Sequence, residues 1–552
     1  MCGICGFVYR DKERPVDEGR LRAMMSKLSH RGPDASGTYL GPGGRQVALG
    51  HTRLAVIDLE TGDQPMHSPR GDVTLVYNGE CYNYRELRAD LEARGVTFRT
   101  QSDTEVVAAL VAGHGVDAPR LMNGQFAFAA WNRSKRQLIL ARDRLGQKPL
   151  YVYQTDDEFV FASSLAALLE AEDVPREIDP AALELYLAFG YVPAPRTLFR
   201  AVRKLAPAST LILRDGKFDE ERYWRLPADD GTRDDASLRD RMTDAVRRRL
   251  VSDVPLGAWL SGGIDSSIIV ALMSELTDAP VKTFAIGFGE PLYDELEYAR
   301  AVADRFGTDH HEFTVAPRAA EVIEKLVPLF GEPFADSSAI PTWYLSRETR
   351  AHVKVALSGD GGDELFGGYD RYRAMMLAER VGRWPRFLRK LAASLAGSPG
   401  EQRSMRHRMR RFLDAAGDDP VERYLAWMGL FPASMRERLL AGPMTDTCAE
   451  DYLREAFARN PAGTPADRAM RVDLVTYLPG DLLVKTDVAS LAFGLEVRCP
   501  FLDPELVVLA QRIPMKQKLS LFTGKRILRK TFRDRLPAKV RKRRKMGFGV
   551  PL

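Results

Sequence analysis

The chain reads as two domains of different fold class: a strand-rich α+β half built on antiparallel hairpins, then an α/β half with a parallel sheet. Three observations predict this. Apolar runs joined by short polar turns crowd the first two hundred residues or so. A polar, turn-forming stretch, RLPADDGTRDDAS at 225–237, interrupts them. Beyond it, short apolar strands alternate with helical patterns.

In the first half, QVALGHTRLAVIDL and DVTLVYNGECYN are β-branched runs broken by glycine or polar turns. FAFAAWN, QLILARD, PLYVYQ and EFVFAS follow one another through RSKR, RLGQK and TDD, the rhythm of hairpins. Two helical patterns interrupt them, YRELRADLEARG and SDTEVVAALVAGHG. In the second, Ser102 is the expected N-cap, with Glu105 three positions on as in a capping box. These patterns place domains at 2–224 and 238–552, with a linker at 225–237. In the second half SLRDRMTDAVRRRL reads as a helix, VPLGAWL as a buried strand, SGGIDSS as a loop and IIVALMSEL as a helix. VKTFAIGF is a strand, LEYARAVADRFG a helix, and HHEFTV and VKVALSG two further strands. Strands alternating with helices imply a parallel sheet covered on both faces. The last third is mostly helical in pattern.

Composition narrows the function. With 45% apolar and 28% charged residues, the 552-residue chain has the make-up of a soluble protein with large cores. Five cysteines without framework spacing point to a reducing compartment, and the cytoplasm is the expected location. No apolar run reaches the ~18 residues of a membrane span, and no signal-like segment precedes Cys2, so no membrane partner is expected. The net charge of +5 hides a basic run: Lys525–Lys545 holds twelve Lys or Arg and one acid, Asp534. A solvated face, a polyphosphate ligand or nucleic acid would each suit it. It lacks interleaved aromatics, so nucleic acid is not the expected partner.

Two loops carry chemistry. SGGIDSS at 261–267 follows an apolar strand and opens a helix, where free N–H groups and the helix dipole favour an anion. Gly262 and Gly263 let the backbone close on phosphates, and Ser261, Ser266 and Ser267 offer hydroxyls. Asp265 would repel a bare phosphate and makes sense as a ligand for a bridging Mg²⁺. The Walker lysine is absent. VKVALSGDGGDELFGGY at 353–369 repeats the device, with Asp360, Asp363 and Glu364 crowded at a strand end. Such carboxylates repel one another and need cations to stay ionised. Loops of this kind on neighbouring strands would hold a nucleoside triphosphate with its metal, ATP and Mg²⁺.

At the other end stands Cys2, directly after the initiator methionine. Excision of Met1 would leave one residue carrying both a thiol and a free α-amine. The amine, with a pKa of roughly 7.7–8, can take the thiol proton without a histidine.

The segments MCGICGF, HRGPDASG, HTRLAVIDL, YNGECYNY, SDTE, GQFAFAAW and ARDRLGQKPLYV resemble the glutaminase domain of class II glutamine amidotransferases, which are N-terminal-nucleophile hydrolases with stacked antiparallel sheets. LSGGIDSS, LSGDGGDELFGGY, SLAFGLEVRCPFLD and GKRILRKTF resemble the synthetase domain of glutamine-hydrolysing asparagine synthetases. The resemblance runs nearly end to end and in order. It implies that Cys2 attacks the glutamine amide, that Arg53 holds the glutamine α-carboxylate, and that Asn78 and Gly79 form the oxyanion hole. Glu80 and Asp103 would bind the glutamine α-amine. Leu260, Ile286, Ser358 and Gly359 match nucleotide contacts, Asp265 and Asp363 the magnesium ligands, and Lys525 a lysine beside the leaving pyrophosphate. Asp360 stands where some asparagine synthetases have glutamate, at a position tied to acyl-adenylate formation. The expected partners are glutamine and a carboxylate acceptor, aspartate first, with a homodimer left open.

Two features set this chain apart within that resemblance. Asp360 is one, and EPFADSSAIP at 332–341 is the other, lacking the Thr-Thr-x-Arg pattern of part of the family. Both lie where the acceptor carboxylate should bind. They keep open another acceptor: a sugar, a peptide or another metabolite. A carboxylate pocket needs a cation, and Lys485 and Arg498 are the candidates. The chain stops at GFGVPL where relatives usually continue, and whether this C-terminus is natural or truncated is left open.

Overall fold

The computed structural model describes residues 1–552 except 172, 228–236, 291–294, 317, 383–384, 386, 389–390, 392–404, 417–418, 441–447, 544–546 and 548–552. Most of the expected linker and of the C-terminal GFGVPL lie outside the described residues.

The first domain has twelve strands: β1 (Gly3–Tyr9), β2 (Ala35–Leu40), β3 (Val47–Arg53), β4 (Met66–His67), β5 (Val73–Cys81), β6 (Gly124–Asn132), β7 (Gln137–Arg142), β8 (Tyr151–Gln154), β9 (Glu158–Ala162), β10 (Val202–Lys204), β11 (Ser209–Arg214) and β12 (Lys217–Arg222). They form two six-stranded sheets, ordered β10-β8-β9-β1-β3-β2 and β12-β11-β7-β6-β5-β4. All pairings within them are antiparallel, and the expected β6–β7 and β8–β9 hairpins are present.

Residues on these strands alternate between two apolar surroundings, which is why the runs are continuous rather than half-polar. On β1, Ile4 and Val8 point into the layer between the sheets, while Cys5, Phe7 and Tyr9 point outward. On β6, Ala127, Ala129 and Trp131 point inward, whereas Phe126, Phe128 and Ala130 meet Val106, Val107 and Leu110 of the helix Asp103–His114. On the opposite outer face the helix Glu18–Ser26 adds Leu21, Met24 and Met25. The result is two sheets sandwiched between helices.

Ser102 caps its helix as expected, accepting from Thr104 N. The capping box is not completed. Glu105 accepts instead from Arg99 N, Thr100 N and the Thr100 hydroxyl, tying down the preceding loop.

The second domain holds β13 (Leu256–Trp259), β14 (Lys282–Gly287), β15 (Asp309–Thr314), β16 (Val355–Leu357) and β17 (Glu496–Arg498), all parallel and ordered β15-β14-β13-β16-β17. The first four are the expected strands, while β17 lies in the region expected to be helical. From β13 the chain winds first one way through β14 and β15, and then returns to β16 on the other side. The direction reverses between β13 and β16, and the crevice beyond their C-terminal ends is the ligand position of such sheets. SGGIDSS and SGDGGDE follow those two strands.

Candidate active sites

The thiol end is built where the two sheets of the first domain meet. Cys2 precedes β1, and the β1–β3 register, Gly3 opposite Thr52, brings it beside Arg53. Its backbone N–H donates to Asn78 Oδ1 on β5 at 3.0 Å, so one bond links Cys2 to the second sheet. Asn78 Nδ2 is buried with no partner, an orphaned donor beside the thiol residue. At Gly79 a Cβ would stand 2.1 Å from the Gln125 carbonyl oxygen, so no side chain fits.

Glu80 lies two residues beyond Asn78 on the same face of β5. Asp103, the first residue of its helix, accepts from Cys81 N at 2.9 Å. Burial pushes the Asp103 carboxyl up to about 6, with Glu496 adding repulsion. Burial, then Glu496, raises Glu80 well above the usual range. Burial also raises the Cys2 thiol, against the pull of the N-terminal ammonium. Arg53 is buried and pairs with Asp63 at 2.8 Å, and it also donates to the Ile57 and Asp58 carbonyls. Cys2, Arg53, Asn78, Gly79, Glu80 and Asp103 are thus brought together around one point.

Five further groups at this point come from outside the motifs' assigned positions. The Met1 ammonium donates to Glu496 Oε2 at 2.7 Å, with both side chains fully buried. Burial pushes Glu496 upward, but the ammonium and Arg498 outweigh it and hold it at about 2. Arg31 Nε donates to the Cys2 carbonyl at 3.2 Å, and its other arm pairs with Asp487 at 2.8 Å. Lys148 meets the same carboxylate at 3.3 Å. Glu496 and Asp487 belong to the second domain. The available signal was the charged pair set within the apolar run LEVRC, since a charge inside a buried strand demands a partner.

In the second domain a cavity of about 1000 Å³ opens at the β13/β16 crevice, lined by Leu260, Ser261, Gly263, Asp265, Ser266, Ile286, Ser358, Gly359, Asp360, Asp363 and Lys525. The Lys525 ammonium pairs with Asp265 and, at 2.5 Å, with Asp363. Two carboxylates from the two loops therefore converge on one cation. Asp360 is turned elsewhere: its Oδ2 accepts from the Ser358 hydroxyl at 3.0 Å and the Thr486 hydroxyl at 3.2 Å. Burial and Asp363 raise Glu364 to about 7, and Tyr369 donates to it at 2.6 Å. The basic segment lines the mouth with Arg529, Arg541, Lys542 and Arg543, and Arg543 donates to the Ser261 carbonyl at 2.7 Å.

One expectation is corrected, at Arg498, and Gly262 in the loop after β13 has a packing role besides. Its φ is +65°, and a Cβ there would lie 2.4 Å from the Tyr298 backbone, so this glycine serves close packing of loop on helix. Arg498 is not the acceptor's cation. It is fully buried between Glu496, at 2.6 Å, and the carbonyls of Arg249 and Val251, and it reaches Glu80 at 3.5 Å. Strand β17 directs it toward the thiol end. Lys485 does line the cavity.

Residues 237–552 match the asparagine synthase family, and residues 1–224 match a glutamine amidotransferase domain. The chain is 35% identical to the glutamine-hydrolysing asparagine synthetase 1 of Bacillus subtilis, over 100% of this chain and 87% of that one. It is 34% identical to a putative glutamine-hydrolysing asparagine synthetase of Mycobacterium tuberculosis, over 100% and 88%. It is also 29% identical to a Gibberella zeae protein named amidase chry2, over 94% and 83%.

Proposed function

The chain belongs to the asparagine synthase family, and from that premise we propose that it moves the amide nitrogen of glutamine onto aspartate, with ATP cleaved to AMP and pyrophosphate. The observation that carries this reading is the shared wall: Glu496, on the second domain's parallel sheet, reaches the N-terminal end of the first domain beside Cys2, where it pairs with the Met1 ammonium of the unprocessed chain. Glutamine chemistry and ATP chemistry abut in one chain.

Excision of Met1 bares the Cys2 α-amine next to Asn78 Oδ1, and that amine takes the thiol proton as sulfur attacks the glutamine side-chain amide. The orphaned Asn78 Nδ2 and the Gly79 N–H are donors for the oxyanion that forms. Arg53 takes the glutamine α-carboxylate, and Glu80 with Asp103 takes its α-ammonium. Across the wall, ATP would bind in the β13/β16 crevice, whose lining includes Leu260, Ser261, Gly263, Ser266, Ile286, Ser358 and Gly359. Asp265 and Asp363 fit a magnesium ion, since they already converge on a cation. Among the described residues no group of three or more His, Cys, Asp or Glu is set to hold a metal. Triphosphate oxygens and water would complete its shell. Bound there, magnesium neutralises triphosphate charge. Lys525 then follows the leaving pyrophosphate, and Asp360 stands by the acyl-adenylate. Ammonia delivered internally escapes protonation in bulk water.

Another carboxylate acceptor is the second reading. It is favoured by the amidase-named relative and by the lack of an arginine in EPFADSSAIP. Release of AMP and pyrophosphate, measured over a panel of carboxylates, separates the two, and aspartate should stimulate both products. Cys2→Ala should abolish glutamine-supported turnover while ammonium salts still support it. Active enzyme that retains Met1 on N-terminal sequencing would refute the role given to the α-amine.

A further inference from the structure

We propose that Lys485 and Asp336 form a subsite of paired charges for the zwitterionic head of an amino-acid acceptor. The proposal rests on the amidation reading above and specifies the substrate class of that site. Lys485 stands on the helix Leu483–Leu491 and lines the cavity. Its Nζ donates to Asp336 Oδ2 at 3.0 Å and to the Ser338 hydroxyl oxygen at 2.7 Å. Asp336 is braced in turn by the Ser338 N–H at 2.8 Å and by the Ser338 hydroxyl at 2.7 Å. An ammonium has three donors. Two of Lys485's are spent on this brace, and one is left for a ligand.

Position connects this pair with the chemistry. Thr486, the next residue on the same helix, holds Asp360 by a hydroxyl bond, and Asp360 follows the Ser358-Gly359 nucleotide loop. An acceptor whose head lies at Lys485 therefore presents its far end toward the loop that receives the α-phosphate. Asp336 lies in EPFADSSAIP, a segment with no cation of its own, and Lys485 brings one to it from a neighbouring helix.

The charge pattern selects the acceptor class. A uronic acid or a simple dicarboxylate offers only negative charge and hydroxyls, and would set a carboxylate at Lys485 beside Asp336 with no positive group to offset the repulsion. An α-amino acid offers a carboxylate to Lys485 and an ammonium to Asp336, satisfying both signs at once. A peptide residue amidated within a chain has neither charge free at that position. The acceptor is thus a free α-amino dicarboxylate rather than a sugar acid or a peptide.

The test measures pyrophosphate release at saturating ATP with ammonium chloride as nitrogen source. It compares wild type, Lys485→Met, Lys485→Arg and Asp336→Asn, with glutaminase turnover of each variant as the check on folding. In wild type, aspartate should outperform succinate and N-acetylaspartate. Lys485→Met should raise the aspartate KM at least about tenfold, the scale of one charged hydrogen bond, and Lys485→Arg should recover part of it. Asp336→Asn should raise the KM for aspartate and leave that for N-acetylaspartate, which has no ammonium, in place. An unchanged aspartate KM in Lys485→Met, or N-acetylaspartate equal to aspartate in wild type, overturns the subsite. So does pyrophosphate release driven by a uronic acid and by no amino acid, though amidation then stands. Wild type that responds to no carboxylate overturns the amidation reading itself, and the subsite with it.

Discussion

Asp103 shows what one buried carboxyl would do to the proposed glutamine site. Burial lifts it to about 6, so below that pH it carries a proton and would no longer attract the ammonium proposed to bind there. The sign follows: kcat/KM for glutamine should fall as pH drops through about 6. Bound ammonium favours the ionised form, so the acid limb of kcat should lie at lower pH than that of kcat/KM. Asp103→Asn should lower kcat/KM at high pH and shift the limb toward whatever Glu80 alone imposes. A profile without an acid limb would remove Asp103 from the glutamine pocket. That Cys2, Asn78, Glu80 and Asp103 gather at one point was legible because short motifs carry them. Arg31 and Glu496 were not, because their roles depend on partners hundreds of residues away, Asp487 and Met1.

Single elements here serve several sites. Along the helix Leu483–Leu491, three successive residues turn to three places: Lys485 to the cavity, Thr486 to Asp360, and Asp487 to Arg31 and Lys148. Successive positions on a helix are about 100° apart, so three neighbours can face three surroundings. The strand-to-helix loop after β13 depends on Gly262 in the same way that the helix depends on its facing. Gly262→Ala adds a methyl at a left-handed φ and against the Tyr298 backbone, a strain of more than about 1 kcal/mol. It should cut ATP-dependent pyrophosphate release severalfold and leave glutaminase turnover near that of wild type. Equal loss of both activities would show that the loop does more than shape the nucleotide site. The five-stranded order was only partly legible. Strands β13 to β16 announced themselves by apolar runs, whereas β17 is three residues long and two of them are charged.

At the scale of the molecule, buried charge joins the two domains. Arg31 and Lys148 share Asp487, Met1 meets Glu496, and Asn123 meets Asp503, which also pairs with Arg249. Removing one partner of such a buried network leaves the others uncompensated, at a cost of roughly 3–5 kcal/mol. Asp487→Asn should therefore loosen the contact that passes from the Cys2 carbonyl to the synthetase side. The expected outcome is more glutamine hydrolysed per pyrophosphate released, measured as a ratio in one assay. A ratio unchanged from wild type would confine Asp487 to stability.

What the sequence determined by itself was whatever is encoded in neighbours along the chain: the alternation that builds antiparallel sheets buried on both faces, the loops after β13 and β16, and the thiol beside the chain's first amine. Hydrophobic period and glycine spacing are local quantities, and each survives in a linear text. Only the tertiary structure decided which charge answers which. It turned Arg498 toward Glu80 and Lys485 toward Asp336, and it set Gly262 against Tyr298. A buried charge requires a partner but does not say where along the chain that partner lies, and close packing of elements distant in sequence makes the choice.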